Sequence, residues 1–186
     1  MAIDSLNDWK QSFANLPKVG DNTWASNLSN AIAGHVNNKA VLNGGSGTTP
    51  IFTFDSATLA TQLLTLPISN DASVAIEALS NCFVTALGTS TMVVATGFSF
   101  GGGTPITTFS SVTSSLIDVG SITAFKNKIK ELENVNPEDI KTEDDSPFPK
   151  LVRDAFLLLT VTTIGFDQTP PATGPLALTD PARSVI

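Results

Sequence analysis

A short sequence motif occurs twice in the chain, and this repeat constrains the fold more than any other feature of the sequence. GSGTTPIFTF occupies residues 45–54, and GGGTPITTF occupies residues 101–109. Each copy joins a glycine-rich turn and a Thr-Pro step to a run of β-branched and aromatic residues, which favours a short strand. We interpret the phrase as the start of an internally duplicated unit.

Both units predict the same order of elements. The first, at about residues 45–100, predicts a strand at 50–54, two helices and a strand at 91–100. The second, at about residues 101–166, predicts a strand, two helices and a strand at 160–166. In each unit the second helix runs directly into the last strand. The sequence therefore predicts an α+β fold in which two strand-helix-helix-strand units share one antiparallel or mixed sheet, together forming a core over residues 44–166.

Two amphipathic segments precede the duplicated core. Residues 4–16 and 22–36 each place apolar side chains at helical spacing, and Pro17 ends the first segment. We expect an N-terminal helical hairpin over residues 1–43, packed through its tryptophans. The predicted apolar faces are Leu6, Trp9, Phe13 and Leu16 on the first helix, and Trp24, Leu28, Ile32 and Val36 on the second.

Capping residues predict where the helices of the two units begin. Asp55 or Ser56 caps the first helix, Asn70 or Asp71 opens the longest, Ser121 caps the first helix of the second unit, and Gly88 is a C-cap signal. The predicted inward residues of the longest helix are Val74, Ala78, Leu79, Cys82, Phe83, Ala86 and Leu87. Those of the last helix are Phe148, Leu151, Val152, Ala155 and Phe156.

The C-terminal twenty residues are proline-rich and show no helical period. We expect residues 167–186 to form an extended arm whose spaced apolar anchors bind a neighbouring subunit, because prolines lower the entropic cost of ordering such a segment. A disordered tail is the alternative. Deleting residues 168–186 is then expected to leave the fold intact. The predicted interaction residues are Pro170, Pro171, Pro175, Leu176, Leu178, Val185 and Ile186.

Composition excludes several classes of function. The net charge of −7 disfavours nucleic acid and anionic membrane surfaces, which need a basic patch. No apolar run in the sequence approaches the length of a membrane span. The start, MAIDSLNDWK, lacks the basic and apolar regions of a secretory signal, so we expect no Sec export. Only 15% of the residues are charged, which suits a surface that packs against other protein.

The sequence offers few side chains for catalysis. From one histidine, His35, and one cysteine, Cys82, we expect no triad, Cys–His pair or His-rich metal site, and we assign both residues structural roles. The glycines at 101–103 lack the lysine and the following helix of a phosphate loop. We predict no catalytic residue, no cofactor and no metal site. An ion on the acidic segment remains an open alternative, with the carboxylates of Glu131, Glu133, Glu138, Asp139, Glu143, Asp144 and Asp145.

Three stretches resemble small virion structural proteins of tailed bacteriophages. They are STMVVATGFSFGGGTPITTFSSV, DAFLLLTVTTIGF, and the WxxxFAxL and WAxxL patterns that begin at Trp9 and Trp24. The resemblance covers most of the chain. It is a similarity in composition, with strands rich in Thr, Ala and Gly between short helices. It implies a protein that assembles in many copies into a tail, neck, collar or baseplate, with itself and other virion proteins as partners, inside the host cytoplasm.

We therefore expect a non-enzymatic, homo-oligomeric assembly protein located in a virion. A non-catalytic binding or adhesin module is one alternative, and a glycan- or Ca²⁺-binding assay distinguishes it. A carboxylate-dependent hydrolase is another. Its turnover would depend on Glu138, Asp139, Asp144 and Asp145.

Overall fold

The computed structural model of the chain describes residues 6–14, 16, 23–37, 45–46, 51–67, 69–93, 99–100, 107–108, 111–135, 147–167 and 176–184. The helices within these ranges are α1 (Leu6–Ala14), α2 (Trp24–Val36), α3 (Ser56–Leu64), α4 (Ala72–Thr89), α5 (Val119–Lys130) and α6 (Pro147–Phe156). A 3₁₀ turn at Glu131–Asn134 follows α5. The strands are β1 (Gly45–Ser46), β2 (Ile51–Thr53), β3 (Thr91–Val93), β4 (Ser99–Phe100), β5 (Thr107–Thr108), β6 (Ser111–Ile117), β7 (Thr160–Asp167) and β8 (Leu176–Ser184).

The strands do not share one sheet, so the predicted α+β fold is wrong. They fall into three separate antiparallel groups, in the orders β2-β3, β6-β7-β8 and β1-β4-β5. The physical reason is that β2 pairs with β3 and β6 with β7, each inside its own unit, and among the described strands only the two-residue pair β4–β5 joins one unit to the other. The helices bury their apolar faces against one another. The described part of the chain is mainly helical, with small sheets attached to a helical core.

A single hydrophobic cluster joins the helices from both ends of the described chain. α1 packs on α6, α2 on α3, α3 on α4, α4 on α5, and α5 on α6. The cluster includes Trp9 of α1 together with Phe83 of α4 and Phe156 of α6, all fully buried. The N-terminal helices therefore lie in the same core as the rest, where Trp9 contacts Phe156 at a ring-centroid distance of 6.1 Å.

Local capping chemistry sets several helix starts. The Asp55 carboxylate accepts the Thr58 N–H at 2.9 Å at the start of α3. The Asp71 carboxylate accepts the Ser73 N–H at 2.9 Å at the start of α4. Each bond satisfies an N–H that the first helical turn leaves without a main-chain partner. Both caps agree with the sequence prediction.

Two predicted helix ends are wrong. The N-cap of α5 is Asp118, and Ser121 lies inside the first turn, 8% exposed. Gly88 lies inside the last turn of α4, and the C-cap of the helix is Ser90, whose backbone is extended. Ser90 makes a main-chain bond to Leu87 and donates its hydroxyl to the Ala86 carbonyl at 2.7 Å, which ends the helix without glycine.

The order of elements is the same in the two halves of the core. β2, α3, α4 and β3 follow one another in the first half, and β6, α5, α6 and β7 in the second. In each half the first strand pairs with the last: Phe52 lies opposite Met92, and Leu116 lies opposite Thr162. That the halves arose by duplication stays a prediction.

Candidate functional site

The segment predicted as an interaction arm contains the last strand that the structure describes. Leu176 and Leu178 lie in β8, opposite Asp167 and Gly165 of β7. The other five predicted interaction residues, Pro170, Pro171, Pro175, Val185 and Ile186, lie outside the described residues. An extended arm was predicted over residues 167–186 without a partner strand in the same chain, and residues 176–184 of it form β8. The missed signal is the alternation of apolar side chains at Leu176 and Leu178, which is typical of a strand.

β8 forms one edge of its sheet. Among the described strands it is hydrogen-bonded to β7 alone, whereas β7 lies between β6 and β8. Pro181 is tolerated in β8 because the β7–β8 register shifts between Val161 and Thr163, which places the proline at an irregularity of an edge strand. The half of β8 before this irregularity, residues 176–179, contains neither proline nor charge.

An aspartate joins the two ends of the first unit. The Asp55 N–H, just after β2, donates to the Ser90 hydroxyl at 3.0 Å, just before β3. The Asp55 carboxylate also accepts the Thr58 hydroxyl at 2.7 Å. Hydrogen bonds from the main chain and the hydroxyl of Thr58, and then from the Thr89 hydroxyl, lower the pKa of Asp55.

A second aspartate occupies the corresponding place in the second unit. The Asp118 N–H, just after β6, donates to the Thr160 carbonyl at 2.9 Å. Its carboxylate accepts the hydroxyls of Thr160 at 2.7 Å and Thr162 at 2.8 Å, both on β7. The Ser121 hydroxyl donates to the Asp118 carbonyl at 2.7 Å. We call Asp55 and Asp118 the corner aspartates. Asp55 bonds the residue just before its unit's strand β3, and Asp118 bonds the first residue of β7. Each of the two precedes its unit's first helix.

Glu77 links α4 to α5 through two lysines. Its carboxylate oxygens lie 2.5 Å from Lys126 Nζ and 2.9 Å from Lys130 Nζ. The hydrogen bond from Lys126, followed by that from Lys130, lowers the pKa of Glu77 from 4.5 to about 2. The Glu77 side chain is 39% exposed, so solvent screens the attraction between these charges. The group holds two core helices in register rather than forming a closed acidic cleft.

Replacing Glu77 with glutamine is expected to reduce stability in a pH-dependent way. The folded-state pKa lies below the ordinary 4.5, so the ion pairs stabilise the fold above pH 4.5 and lose this effect as pH falls toward about 2. Urea unfolding of wild type and Glu77→Gln across this range should show a difference that disappears in acid. Glu131→Gln, which removes a pair with Lys128 alone, is the control with a smaller effect. A difference that is constant from pH 2 to 4.5 would contradict the assignment.

The single histidine lies between α1 and α2, in a bond that the sequence did not predict. His35 is 7% exposed, and its Nε2 is 2.8 Å from the Ser12 hydroxyl oxygen. Its ring stacks on Trp9 at a centroid distance of 4.7 Å and an angle of 19°. A serine–histidine contact is also the first half of a nucleophilic pair. Burial of the imidazole against the indole favours the other role, a polar bond between two core helices.

The single cysteine lies in the core, as predicted. Cys82 is 5% exposed on α4, and burial raises the pKa of its thiol. A raised pKa disfavours the thiolate, which is the nucleophilic and metal-binding form. This environment fits a small hydrophobic side chain.

Only the beginning of the acidic segment is described. Lys128 pairs with Glu131 at 2.7 Å, and the Ser73 hydroxyl bonds Glu133 at 3.3 Å. Glu138, Asp139, Glu143, Asp144 and Asp145 lie outside the described residues. Within the described ranges, no group of three or more His, Cys, Asp or Glu side chains is placed to hold a metal ion. Whether the full segment binds an ion stays open.

One described helix, α4, is long and apolar enough to cross a membrane, judged by length and composition alone. Core helices of globular proteins meet the same criterion. Phe83 of α4 is fully buried and contacts Phe125 of α5 at a centroid distance of 5.8 Å, so the helix contributes to the core.

Comparison with known proteins gives no assignment. No protein-family model matches the chain, and no curated protein or solved structure gives a significant match.

Proposed function

We propose that the chain is a non-enzymatic structural protein that assembles through protein–protein contacts, as a component of a bacteriophage virion. Its partners are further copies of itself and other virion proteins. It acts in a tail, neck, collar or baseplate layer that is put together in the host cytoplasm. It uses neither nucleic acid nor a membrane.

The position of β8 carries this proposal. β8 is the last described element, and β7 is its one hydrogen-bonded neighbour among the described strands. An edge strand presents main-chain donors and acceptors that another strand can pair with. Proteins protect such edges with prolines and charges, which in β8 stand at Asp180, Pro181 and Arg183. The stretch Leu176–Thr179 has none, which supports contact with a partner in that half of the strand.

The described polar side chains support a structural role. Asp55 and Asp71 cap helices, Asp118 binds two threonine hydroxyls, and Glu77 pairs with two lysines. Acid–base catalysis needs carboxylates that converge on a substrate cleft in contrasting environments. These four carboxylates instead hold secondary-structure elements together, which is the work expected in a protein that functions by its shape.

The virion location is supported by the resemblance in residues 90–112 and 154–166 and by the low charge of the chain. With 15% charged residues against about 25% in average proteins, fewer charges lose water when surfaces pack together. Genes for head or tail proteins next to the coding sequence would agree with this location.

Self-association is the direct test. Sedimentation velocity of the full chain over a wide range of concentration is expected to show species larger than the 19.4 kDa subunit. Negative-stain microscopy should show rings, tubes or layers in the same samples. A chain that stays monomeric at its highest soluble concentration would contradict the proposal.

A further inference from the structure

β8 is an edge strand that carries two charges of opposite sign. Among the described strands β7 is its one hydrogen-bonded neighbour, so no described strand covers its outer edge. The charged residues of β8 are Asp180 and Arg183. Charges on an edge strand deter pairing with most other strands, because a partner must match their signs. The partner that this edge accepts is therefore a strand that sets an opposite charge against each of the two residues.

An irregularity in β8 gives these two residues the same position in the strand alternation. Asp180 lies opposite Thr163 of β7, and Arg183 lies opposite Val161. Residues 181–182 of β8 therefore stand against a single residue of β7, which is a β-bulge. Because their partners on β7 are two residues apart, Asp180 and Arg183 are in the same phase of the hydrogen-bond ladder, although they are three apart in sequence.

We propose that the outer edge of β8 pairs with β8 of a second copy of this chain, antiparallel about a two-fold axis, with Asp180 of each copy opposite Arg183 of the other. This inference rests on the proposed assembly function and names its contact. Residues that face each other across such an axis must be in the same phase of the ladder, and the bulge meets this condition for the charged pair. The axis passes between Pro181 and Ala182, where the proline has no N–H to contribute.

The same register also matches uncharged residues on both sides of the axis. Thr179 of one copy stands opposite Ser184 of the other, so a residue with a hydroxyl faces another with a hydroxyl. One step farther, Leu178 in the uncharged half of β8 corresponds to the apolar Val185. Val185 lies outside the described residues, and its match with Leu178 is one of sequence. The strand is thus complementary to its own copy in charge, in hydroxyl groups and in apolar character.

Other ways of pairing two β8 strands bring like charges together. An antiparallel pair centred on residue 180 sets Asp180 against Asp180, and one centred on residue 183 sets Arg183 against Arg183. A parallel pair in register does both. Like charges directly opposite each other destabilise a sheet. Since the chain carries a net charge of −7 and its copies repel each other, a contact between copies is favoured where every charge meets its opposite.

Charge reversal in the full chain tests the pairing. In a dimer of identical copies, Asp180→Arg sets two arginines against each other at both positions, and Arg183→Asp does the same with two aspartates. Each variant alone is expected to raise the dissociation constant of the dimer at least about tenfold. Sedimentation velocity measures this as loss of a species of twice the 19.4 kDa subunit mass. An equimolar mixture of the two variants should regain dimers containing one copy of each, because every charge then meets its opposite.

Two reversals outside β8 are the matched controls. Glu131→Arg changes the net charge as much as Asp180→Arg does, and Lys150→Asp as much as Arg183→Asp does. Their side chains are 51% and 58% exposed. Both controls should dimerise as the wild type does, and circular dichroism checks that every variant is folded.

A cysteine pair locates the register without changing any charge. Thr179→Cys in one tagged chain and Ser184→Cys in another are directly opposite in the proposed dimer, with Cα atoms about 4.5–5.5 Å apart, within the range of a disulfide. After mild oxidation, a disulfide-linked species containing both tags is expected on non-reducing gels, and neither variant alone should cross-link. Oxidised wild type should give no link, because native Cys82 is only 5% exposed.

The other outcomes contradict the pairing. Wild-type dimers that persist unchanged in both charge reversals overturn it and leave the assembly function standing. Loss of dimers in the single variants without recovery in the mixture also overturns it, since the two charges then act within one chain. Links between two Thr179→Cys chains, or none between Thr179→Cys and Ser184→Cys, overturn the register. A wild type that sediments only as a monomer overturns the assembly function and the pairing together.

Discussion

Phe156→Ala is expected to lower the free energy of unfolding by about 3–5 kcal/mol, the usual cost of removing a buried phenylalanine ring. Phe156 is fully buried at the end of α6. Its ring lies 5.1 Å from that of Phe125 and 5.5 Å from that of Phe54, both edge-on, and 6.1 Å from Trp9. One side chain thus joins α1, α5 and the start of α3 to α6, so the cavity would open where several elements meet.

Leu158→Ala is the matched control for this variant. Leu158 lies two residues farther along the chain and is 44% exposed, so its truncation removes little buried surface and should change stability by less than about 1 kcal/mol. Urea unfolding followed by far-ultraviolet circular dichroism measures both variants. Similar losses at the two positions would show that Phe156 is not the centre of the core.

Asp118→Ala is expected to cost about 2–3 kcal/mol, because it leaves the hydroxyls of Thr160 and Thr162 without their acceptor. Asp118 is half-buried where β6, α5 and β7 meet. The loss should appear as a lower midpoint of urea unfolding with an unchanged slope, since the surface exposed on unfolding stays nearly the same.

Asp71→Ala is the control that distinguishes the effect of the Asp118 side-chain bonds from that of an ordinary helix N-cap. Asp71 is exposed, caps α4 through one bond to the Ser73 N–H, and should cost about 1 kcal/mol when replaced. Equal losses at Asp71 and Asp118 would indicate that the two threonine bonds add nothing. A larger loss of unfolding free energy at Asp118 would establish that this residue links the first and last strands of the second unit.

Helix positions followed from local signals in the sequence. The predicted helix at residues 71–87 is α4, Ala72–Thr89, and the segment at residues 22–36 contains α2, Trp24–Val36. Caps such as Asp55 act within one turn, so nearby residues suffice to predict them. Most of the predicted apolar faces are buried as well. Val74 is an exception, at 50% exposed, because it lies in the first turn of α4 on the face away from the core.

Strand partners could not be predicted in the same way. The sequence indicated β-branched runs at 50–54 and 160–166, but pairing depends on residues far apart in the chain. β2 pairs with β3 and β6 with β7 inside their own units, and the described pairing between the units is the short one of β4 with β5, so one shared sheet does not form. Of the predicted interaction residues, the structure describes Leu176 and Leu178, which lie in β8. The sequence did not predict this strand because the tail is rich in proline.

The sequence alone determined where the helices lie, which of their faces are apolar, and that the single cysteine is a core residue. Each of these depends on a period or a cap that a few neighbouring residues define. The tertiary structure alone decided that Asp118 ties β6 to β7 and that His35 bonds Ser12 and stacks on Trp9. It also decided that residues 176–184 pair with β7. These contacts join residues distant in sequence. Their formation depends on how the helices pack, which local patterns do not specify.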